Sequence, residues 1–180
     1  MADPEFTFLG DAVWLDFVNT GYGADADPAE RLPDAAAFHR WLKARKLRDD
    51  PEPDLEAALA FRACLRELAA ALDGGRRAPA SAIAAINAVL RESTGREQLT
   101  REGGEWELHF AADEAPPALA AIARSAAASL VDPLVRIRAC PGDDCTLFFA
   151  DASPTQSRRW CSPERCGRGT WVERRRSALR

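Results

Sequence analysis

The spacing of apolar residues along the first 135 positions predicts a series of helices. Apolar residues recur every three to four positions over residues 12–20, 35–47, 55–72, 81–91 and 118–131, the period that buries one face of a helix. Gly-, Pro- and Asp-rich loops separate these segments. Asp34 and the Gly74–Gly75 pair are the residue types that begin and end helices. The pattern therefore predicts a mainly helical N-terminal domain.

Shorter stretches have the character of strands. Residues 6–9, FTFL, have the composition of a short strand, and residues 96–110 alternate in polarity around Gly103–Gly104. Paired glycines supply the positive φ angles of a tight hairpin, so a β-hairpin is expected there. Near the C-terminus, residues 146–149 predict a strand, and residues 151–154 predict a turn into a second one.

Three polar residues interrupt the first apolar segment. Asp16, Asn19 and Thr20 are three and four positions apart, so a helix places them on one side. They form either a capping or solvated edge, or a polar cluster that contacts a ligand or the other domain. The sequence leaves both interpretations open.

Composition narrows the class of protein. The chain has 180 residues, 47% of them hydrophobic, which is typical of a globular protein. It has no run of about 18 apolar residues that would span a membrane. The N-terminal residues lack the basic start and apolar run of a signal peptide. A cytoplasmic protein with reduced thiols is therefore expected, and paired cysteines there favour a metal over a disulfide.

Four of the five cysteines form two pairs in the last fifth of the chain, as Cys140-x4-Cys145 and Cys161-x4-Cys166. Ser162 and Pro163 are residue types that begin a helix, so free N–H groups are expected beside the second pair. Such groups lower thiolate pKa values. The spacing predicts one structural Zn²⁺ bound by the four thiolates. The alternatives are two buried disulfides or four unlinked core cysteines.

These elements give the fold class: α+β and mainly α. Residues 1–135 are predicted to form a helical domain with a small β-hairpin or sheet. Residues 136–180 are predicted to form a treble-clef-like zinc finger, whose last ligand is carried by a helix. The fifth cysteine, Cys64, lies beside the apolar stripe of the segment 55–72 and is predicted to be a small core residue.

Charge is divided unevenly between the two parts. Residues 136–180 carry ten arginines and five acids, net +5, which leaves fourteen basic and twenty-three acidic residues in residues 1–135, net −9. Such contrast indicates an anionic partner or two parts that pack together. The arginine-rich helix predicted after Pro163 allows either reading, because its apolar stripe contains arginines. The candidate nucleic-acid contacts are Arg158, Arg159, Arg168, Trp171, Arg174, Arg175 and Arg176.

Motifs at both ends of the chain carry a family resemblance. The tail resembles the CGNR zinc finger, with LFF, Asp and Ser after the first cysteine pair, then RRWCS, and CG before a basic helix. LDFVNT at residues 15–20 resembles the ABATE domain, which precedes this finger in bacterial proteins described as stress-induced transcription regulators. The sequence departs from CGNR itself, with Cys166-Gly167-Arg168-Gly169 at that place.

The resemblance implies an α-rich N-terminal domain, a zinc-bound DNA-binding module and regulation of transcription in response to a small-molecule signal. The resulting hypothesis is a transcription regulator whose partners are DNA and a small effector, with no membrane association. The alternative is a small-ligand-binding or protein-interaction protein whose finger is a docked structural module. An enzyme is not expected, because four thiolates complete a zinc shell and no nucleophile–base pair or cofactor loop occurs elsewhere.

Overall fold

The computed structural model describes residues 6–21, 30–48, 54–102, 105–113 and 117–167. These ranges contain the helices α1 Val13–Val18, α2 Ala35–Ala44, α3 Leu55–Asp73, α4 Ala80–Leu90 and α5 Ala118–Val131. They also contain two antiparallel hairpins, β1 Gly95–Glu102 with β2 Glu105–Ala112, and β3 Arg136–Ala139 with β4 Phe148–Asp151. The predicted fold class, mainly helical with small sheets and a C-terminal cysteine cluster, is confirmed.

Side-chain caps explain where the predicted helices begin. The carboxylate of Asp34 accepts a hydrogen bond from the N–H of Ala37 at 2.7 Å, and that of Asp54 accepts one from Glu56 at 3.0 Å. Each satisfies an N–H group that the first turn of a helix leaves without an internal partner. At the other end of α3, Gly75 has φ +63°, a conformation that glycine adopts without steric cost.

Helix α1 lies at the centre of the helical core. Every residue from Trp14 to Val18 is buried, so this helix packs on all sides rather than on one face. The Phe17 ring lies 5.3 Å from that of Trp41 in α2, and the Trp14 indole N–H donates to the Ser129 hydroxyl of α5 at 3.0 Å. None of the helices in the described ranges is long and apolar enough to cross a membrane.

The second hairpin lies between this core and the cysteines. Ile137, Phe148 and Ala150 pack within the helical core, whereas Leu147 and Phe149 pack with the cysteines. Alternate residues of a strand point to opposite faces, so β4 presents one face to each cluster. The β3–β4 hairpin therefore packs against the helices on one face and against the candidate zinc site on the other.

The outer edge of β4 is bonded to the helical domain. The Asn19 side-chain amide donates to the Phe148 carbonyl at 2.9 Å, and its oxygen accepts from the Phe148 N–H at 3.0 Å. The N–H of Ala150 donates to the Gly10 carbonyl at 2.8 Å. Asn19 and Gly10 thus take the place of a third strand, because they satisfy the backbone groups that β3 does not reach.

Two strand predictions are wrong. Residues 6–9 do not form a strand; Phe6 is instead part of the helical core, and Leu9 packs beside the cysteines. In the finger, the predicted second strand after residue 154 does not occur in the described residues up to 167. The partner of β4 is β3, which precedes Cys140, so the hairpin encloses the first cysteine pair.

Removal of the Asn19 amide tests this edge contact. Asn19→Ala leaves the buried N–H and carbonyl of Phe148 without partners, so the free energy of unfolding is expected to fall by about 2–4 kcal/mol. Chemical denaturation of the zinc-loaded chain measures it. Asn87→Ala, at an exposed position of α4, is the matched control and should change stability by less than about 0.5 kcal/mol. Equal stability of the two variants would contradict the structural role of Asn19.

Candidate metal centre

The first cysteine pair is held by the tight turn that closes the β3–β4 hairpin. The N–H of Cys140 donates to the Leu147 carbonyl at 2.9 Å, and the N–H of Cys145 donates to the Gly142 carbonyl at 3.1 Å. Asp144 has φ +60°, a left-handed conformation that Asp tolerates in turns. The Pro-Gly-Asp-Asp sequence therefore brings both sulfurs to the same side of the turn.

In the second pair, Cys161 lies just before a single helical turn, Pro163–Gly167, and Cys166 lies within it; this turn is wider than an α-helical turn. The N–H of Arg165 donates to the Ser162 hydroxyl at 3.3 Å, and the N–H of Cys166 donates to the Ser162 carbonyl at 2.9 Å. Ser162 is thus a capping residue, which its position next to Pro163 predicts. The backbone N–H of Cys161 also points at the Cys140 sulfur, 3.4 Å away.

The sulfur positions match one tetrahedral zinc ion. Four sulfurs bound to zinc at about 2.3 Å lie about 3.8 Å from one another. Here the Cys161 sulfur lies 3.8 Å from that of Cys145 and 3.7 Å from that of Cys166, and all four sulfurs lie within 4.8 Å of one another. A disulfide would need about 2.05 Å, and all four cysteines are free thiols.

Gly142 makes this convergence possible. A Cβ atom at this position would lie 2.7 Å from the Cβ of Cys166 and 3.1 Å from its sulfur. Any larger residue would therefore push the two cysteine pairs apart. The glycine of the first turn is required by the close approach of the second turn, which supports a single site built from both pairs.

Electrostatics shows why the cluster needs a cation. Hydrogen bonds from the thiols of Cys145 and Cys161 lower the pKa of Cys140 to about 2, so one thiolate is stable there. The same sulfur contacts raise the pKa of Cys161, and burial raises the pKa of Cys166 to about 12. Four thiolates cannot share this volume without a positive charge. A zinc ion supplies that charge, and the residues present therefore fit one structural zinc.

Asp151 organises the chain between the two cysteine pairs. The sequence predicted only that this residue begins a turn. Its carboxylate is fully buried and accepts hydrogen bonds from the Ser153 hydroxyl at 2.6 Å, the Ser153 N–H and the Arg158 N–H. Burial alone would raise the pKa of Asp151, but the bonds from Ser153 and the charge of Arg138 outweigh it and hold that pKa below its usual value. Its carboxylate therefore fixes the chain that leads to Cys161.

Two candidate nucleic-acid contacts occupy different surroundings. The Arg158 guanidinium binds Asp11 and the backbone carbonyls of Trp160 and Cys161, and it covers the Phe149 ring at 4.7 Å. These contacts place Arg158 within the protein rather than toward a phosphate. Arg159, by contrast, is exposed and lies over the Trp160 ring at 4.9 Å.

The remaining candidate nucleic-acid contacts lie outside the described residues. They are Arg168, Trp171, Arg174, Arg175 and Arg176.

Asp16, in α1, and Asn19, just after it, lie at the contact between the helices and the finger. Besides Asn19, buried Asp16 accepts from the Gly10 N–H at 2.9 Å and pairs with Arg45 at 3.2 Å. It therefore holds the segment whose carbonyl bonds Ala150. Thr20 accepts a hydrogen bond from Arg62 at 2.8 Å, within the helical domain.

The zinc site predicts that substitution of Cys161 and substitution of Cys64 have different effects on the amount of bound zinc. The wild-type chain should contain one zinc per molecule, and Cys161→Ala should lose it, because three ligands leave the shell open to water. Elemental analysis after gel filtration measures the stoichiometry. Cys64→Ala is the matched control, since Cys64 is not part of the four-cysteine cluster. Retained zinc in Cys161→Ala, or lost zinc in Cys64→Ala, would contradict this site.

The burial of Asp16 predicts a specific pH dependence. Burial raises its pKa from 3.8 to about 6 despite the Gly10 N–H and Arg45. The native state thus holds this proton more tightly than the unfolded state. The contribution of the Asp16 proton to the free energy of unfolding is therefore full below pH 4 and is lost as the pH rises through 6. The loss is on the order of 3 kcal/mol at most.

Asp16→Asn keeps an acceptor for Gly10 but removes the titration. The difference in unfolding free energy between wild type and Asp16→Asn, followed by urea denaturation at a series of pH values, should therefore shift in favour of the variant between pH 4 and 6. A constant difference across that range would show that Asp16 keeps an ordinary pKa in the native protein.

Comparison with protein families agrees with this architecture. The family model of the ABATE domain, described as "Putative stress-induced transcription regulator", matches residues 11–133, and that of the CGNR zinc finger matches residues 136–178. The chain matches none of the curated proteins with which it was compared. The first match covers more than half of the chain and the second covers the four-cysteine cluster. The chain therefore belongs to the ABATE family and carries a CGNR zinc finger.

Proposed function

We propose that this protein regulates transcription by binding DNA through its zinc finger. The observation that carries the proposal is the distribution of charge along the chain: the four-cysteine cluster lies in the arginine-rich part of an otherwise acidic sequence. In nucleic-acid-binding proteins such clustering of arginines supplies the phosphate contacts. The zinc ion has a structural role in this proposal, since four thiolates leave no position for water or substrate, and no enzymatic activity is proposed.

Exposed arginines in the described part of the finger support phosphate contact. Arg159 and Arg165 are both exposed, on either side of buried Cys161 and Ser162. Arg159 lies over Trp160, an arrangement that limits the motion of its side chain and keeps its charged end at the surface. Arg158 is not included among the proposed DNA contacts, because its guanidinium is engaged by Asp11 and two backbone carbonyls.

A cleft beside the finger supports a second candidate, the binding of a small effector. It has a volume of about 420 Å³ and lies where the C-terminal ends of α3 and α5 meet β3. Its lining is partly apolar and partly polar, and includes Leu72, Asp73, Ser129, Leu130, Arg136 and Ile137. A ligand there would contact the helices and the finger hairpin together, so its binding would be coupled to the position of the finger.

The DNA-binding proposal predicts a salt-dependent affinity. The zinc-loaded chain should bind a mixed pool of duplex DNA, with an affinity that falls steeply as salt rises, because each neutralised phosphate releases counterion. Arg159→Ala should weaken binding and lower the slope of log affinity against log salt by about one, without loss of stability. Fluorescence anisotropy at several salt concentrations measures both quantities.

The control for this experiment is Arg91→Ala, an exposed arginine at the end of α4 in the acidic part of the chain. It removes the same charge from a surface that the proposal assigns no DNA contact, so affinity and slope should be unchanged. Absence of binding to the DNA pool, or an affinity independent of salt, would overturn the proposal and favour the second candidate.

A further inference from the structure

The outer edge of β3 borders the cleft beside the finger. The N–H of Cys140 donates to the Leu147 carbonyl, so the pair Cys140–Leu147 is a hydrogen-bonded one. Pairs alternate along an antiparallel ladder, so the backbone groups of Ile137 and Ala139 point away from β4. The residues that face them across the ladder bond the helical domain instead of β3, as this register requires.

In the described part of the chain, this edge is open at one residue, Ile137. On one side of it, the Ala139 N–H donates to the Asp73 carboxylate at 2.8 Å. On the other side, the Val135 N–H donates to the Asp132 carbonyl at 3.2 Å. No described residue bonds the N–H or the carbonyl of Ile137, which is buried and lines the cleft. Buried backbone groups need partners, so this edge has the properties of a site that pairs with a single residue and not with a long strand.

Charges of opposite sign lie on the two sides of Ile137. Its N–H is on the side of Arg136, which lines the cleft, is exposed and makes no ion pair with a described residue. Its carbonyl is on the side of Ala139, whose N–H bonds Asp73. An anionic group is therefore favoured at the Ile137 N–H, and a cationic group at the Ile137 carbonyl.

The two other charged residues of the lining have partners within the chain. Arg138 pairs with buried Asp151 at 3.3 Å, so its charge is compensated. One carboxylate oxygen of Asp132 accepts from the Leu134 N–H at 2.8 Å. Asp132 still adds negative charge to the cleft, which disfavours a ligand with a negative charge alone. Together with Arg136, this lining favours a ligand that carries both charges.

The remaining lining is largely apolar. Leu72 of α3, Leu130 of α5 and Val135 are half-buried and border the cleft. They offer a surface that an apolar side chain would cover. The volume of the cleft, about 420 Å³, lies in the range of pockets that hold small ligands.

We propose that this cleft binds an α-amino acid with an apolar side chain. Its carboxylate accepts from the Ile137 N–H and pairs with Arg136, and its ammonium donates to the Ile137 carbonyl and pairs with Asp73. Its side chain packs against Leu72 and Leu130. The proposal names the ligand class of the second candidate function, on which it rests, and it is independent of DNA binding.

Three probes with the same apolar group test the ligand class by isothermal titration calorimetry of the zinc-loaded full chain. L-Leucine should bind at one molecule per chain. 4-Methylpentanoate lacks the ammonium and 3-methylbutylamine lacks the carboxylate, so each should bind at least about tenfold more weakly than L-leucine, because each loses a charge-assisted hydrogen bond.

Two variants assign the charges to the two ends of the ligand. Arg136→Gln should weaken the binding of L-leucine at least about tenfold and leave that of 3-methylbutylamine unchanged. Asp73→Asn keeps an acceptor for the Ala139 N–H; it should weaken L-leucine similarly and leave 4-methylpentanoate unchanged. These paired comparisons separate a lost contact from a damaged cleft. Arg77→Gln, an exposed arginine outside the lining, is the matched control and should bind all three probes as the wild type does.

The proposal is overturned if L-leucine does not bind, if either analogue binds as tightly as L-leucine, or if Arg136→Gln and Asp73→Asn bind L-leucine as the wild type does. Tighter binding of an analogue would exclude the amino acid and keep the cleft as an effector site. Absence of binding by all three probes would remove the support for the effector site as well. The salt-dependent affinity for DNA is measured without these probes, so its outcome is separate.

Discussion

The structure depends on how the backbone of β4 is satisfied. This four-residue strand has β3 on one edge and, on the other, the Asn19 amide and the Gly10 carbonyl. One of its faces contributes Phe148 and Ala150 to the helical core, and the other contributes Phe149 to the cysteine cluster. Buried backbone groups must be paired, so the helices complete the strand, and the strand in turn positions the first cysteine pair.

This arrangement joins the acidic and the basic parts of the chain through specific hydrogen bonds and an ion pair, and not through overall charge alone. Asp16 holds the Gly10 segment, Asp11 binds Arg158 across the contact, and Asp151 fixes the chain that leads to Cys161. The ABATE sequence LDFVNT thus supplies Asn19, whose side chain bonds the backbone at the outer edge of β4 in the finger. These contacts connect the helices to the zinc site, so they are the route by which the second candidate function, binding of a small effector, would act on the finger.

Much of the fold could be predicted because it is specified locally. Asp34 caps α2 and the glycine pair ends α3, as the sequence indicates. The four cysteines could be assigned to zinc because their spacing and the Ser162–Pro163 helix start concern neighbouring residues. The strand β3 could not be predicted, because RIRA acquires its strand conformation only by pairing with β4.

The roles of individual polar residues depended on distant contacts. Helical periodicity places Asp16 and Asn19 on one side of α1, but only the packing of α1 shows that this side is enclosed. Arg158 and Arg159 are adjacent and have equal charge, yet one is engaged within the protein and the other is exposed. The contacts with Asp11 and Phe149 cause this difference. Asp11 lies far from Arg158 along the chain and Phe149 belongs to another element, β4, so the local sequence pattern could not reveal either contact.

Because the β3–β4 hairpin packs in both clusters, the helices and the finger are predicted to unfold as one unit. Unfolding of the zinc-loaded chain carrying Trp106→Phe, Trp160→Phe and Trp171→Phe can be followed by tryptophan fluorescence, which then reports only the buried Trp14 and Trp41 of the helical core, and by zinc release to a chromophoric indicator. The fluorescence and zinc-release transitions are predicted to coincide, because unfolding of the β3–β4 hairpin removes packed residues from both clusters. Release of zinc well before the fluorescence transition would contradict the claim and would show that the finger unfolds independently.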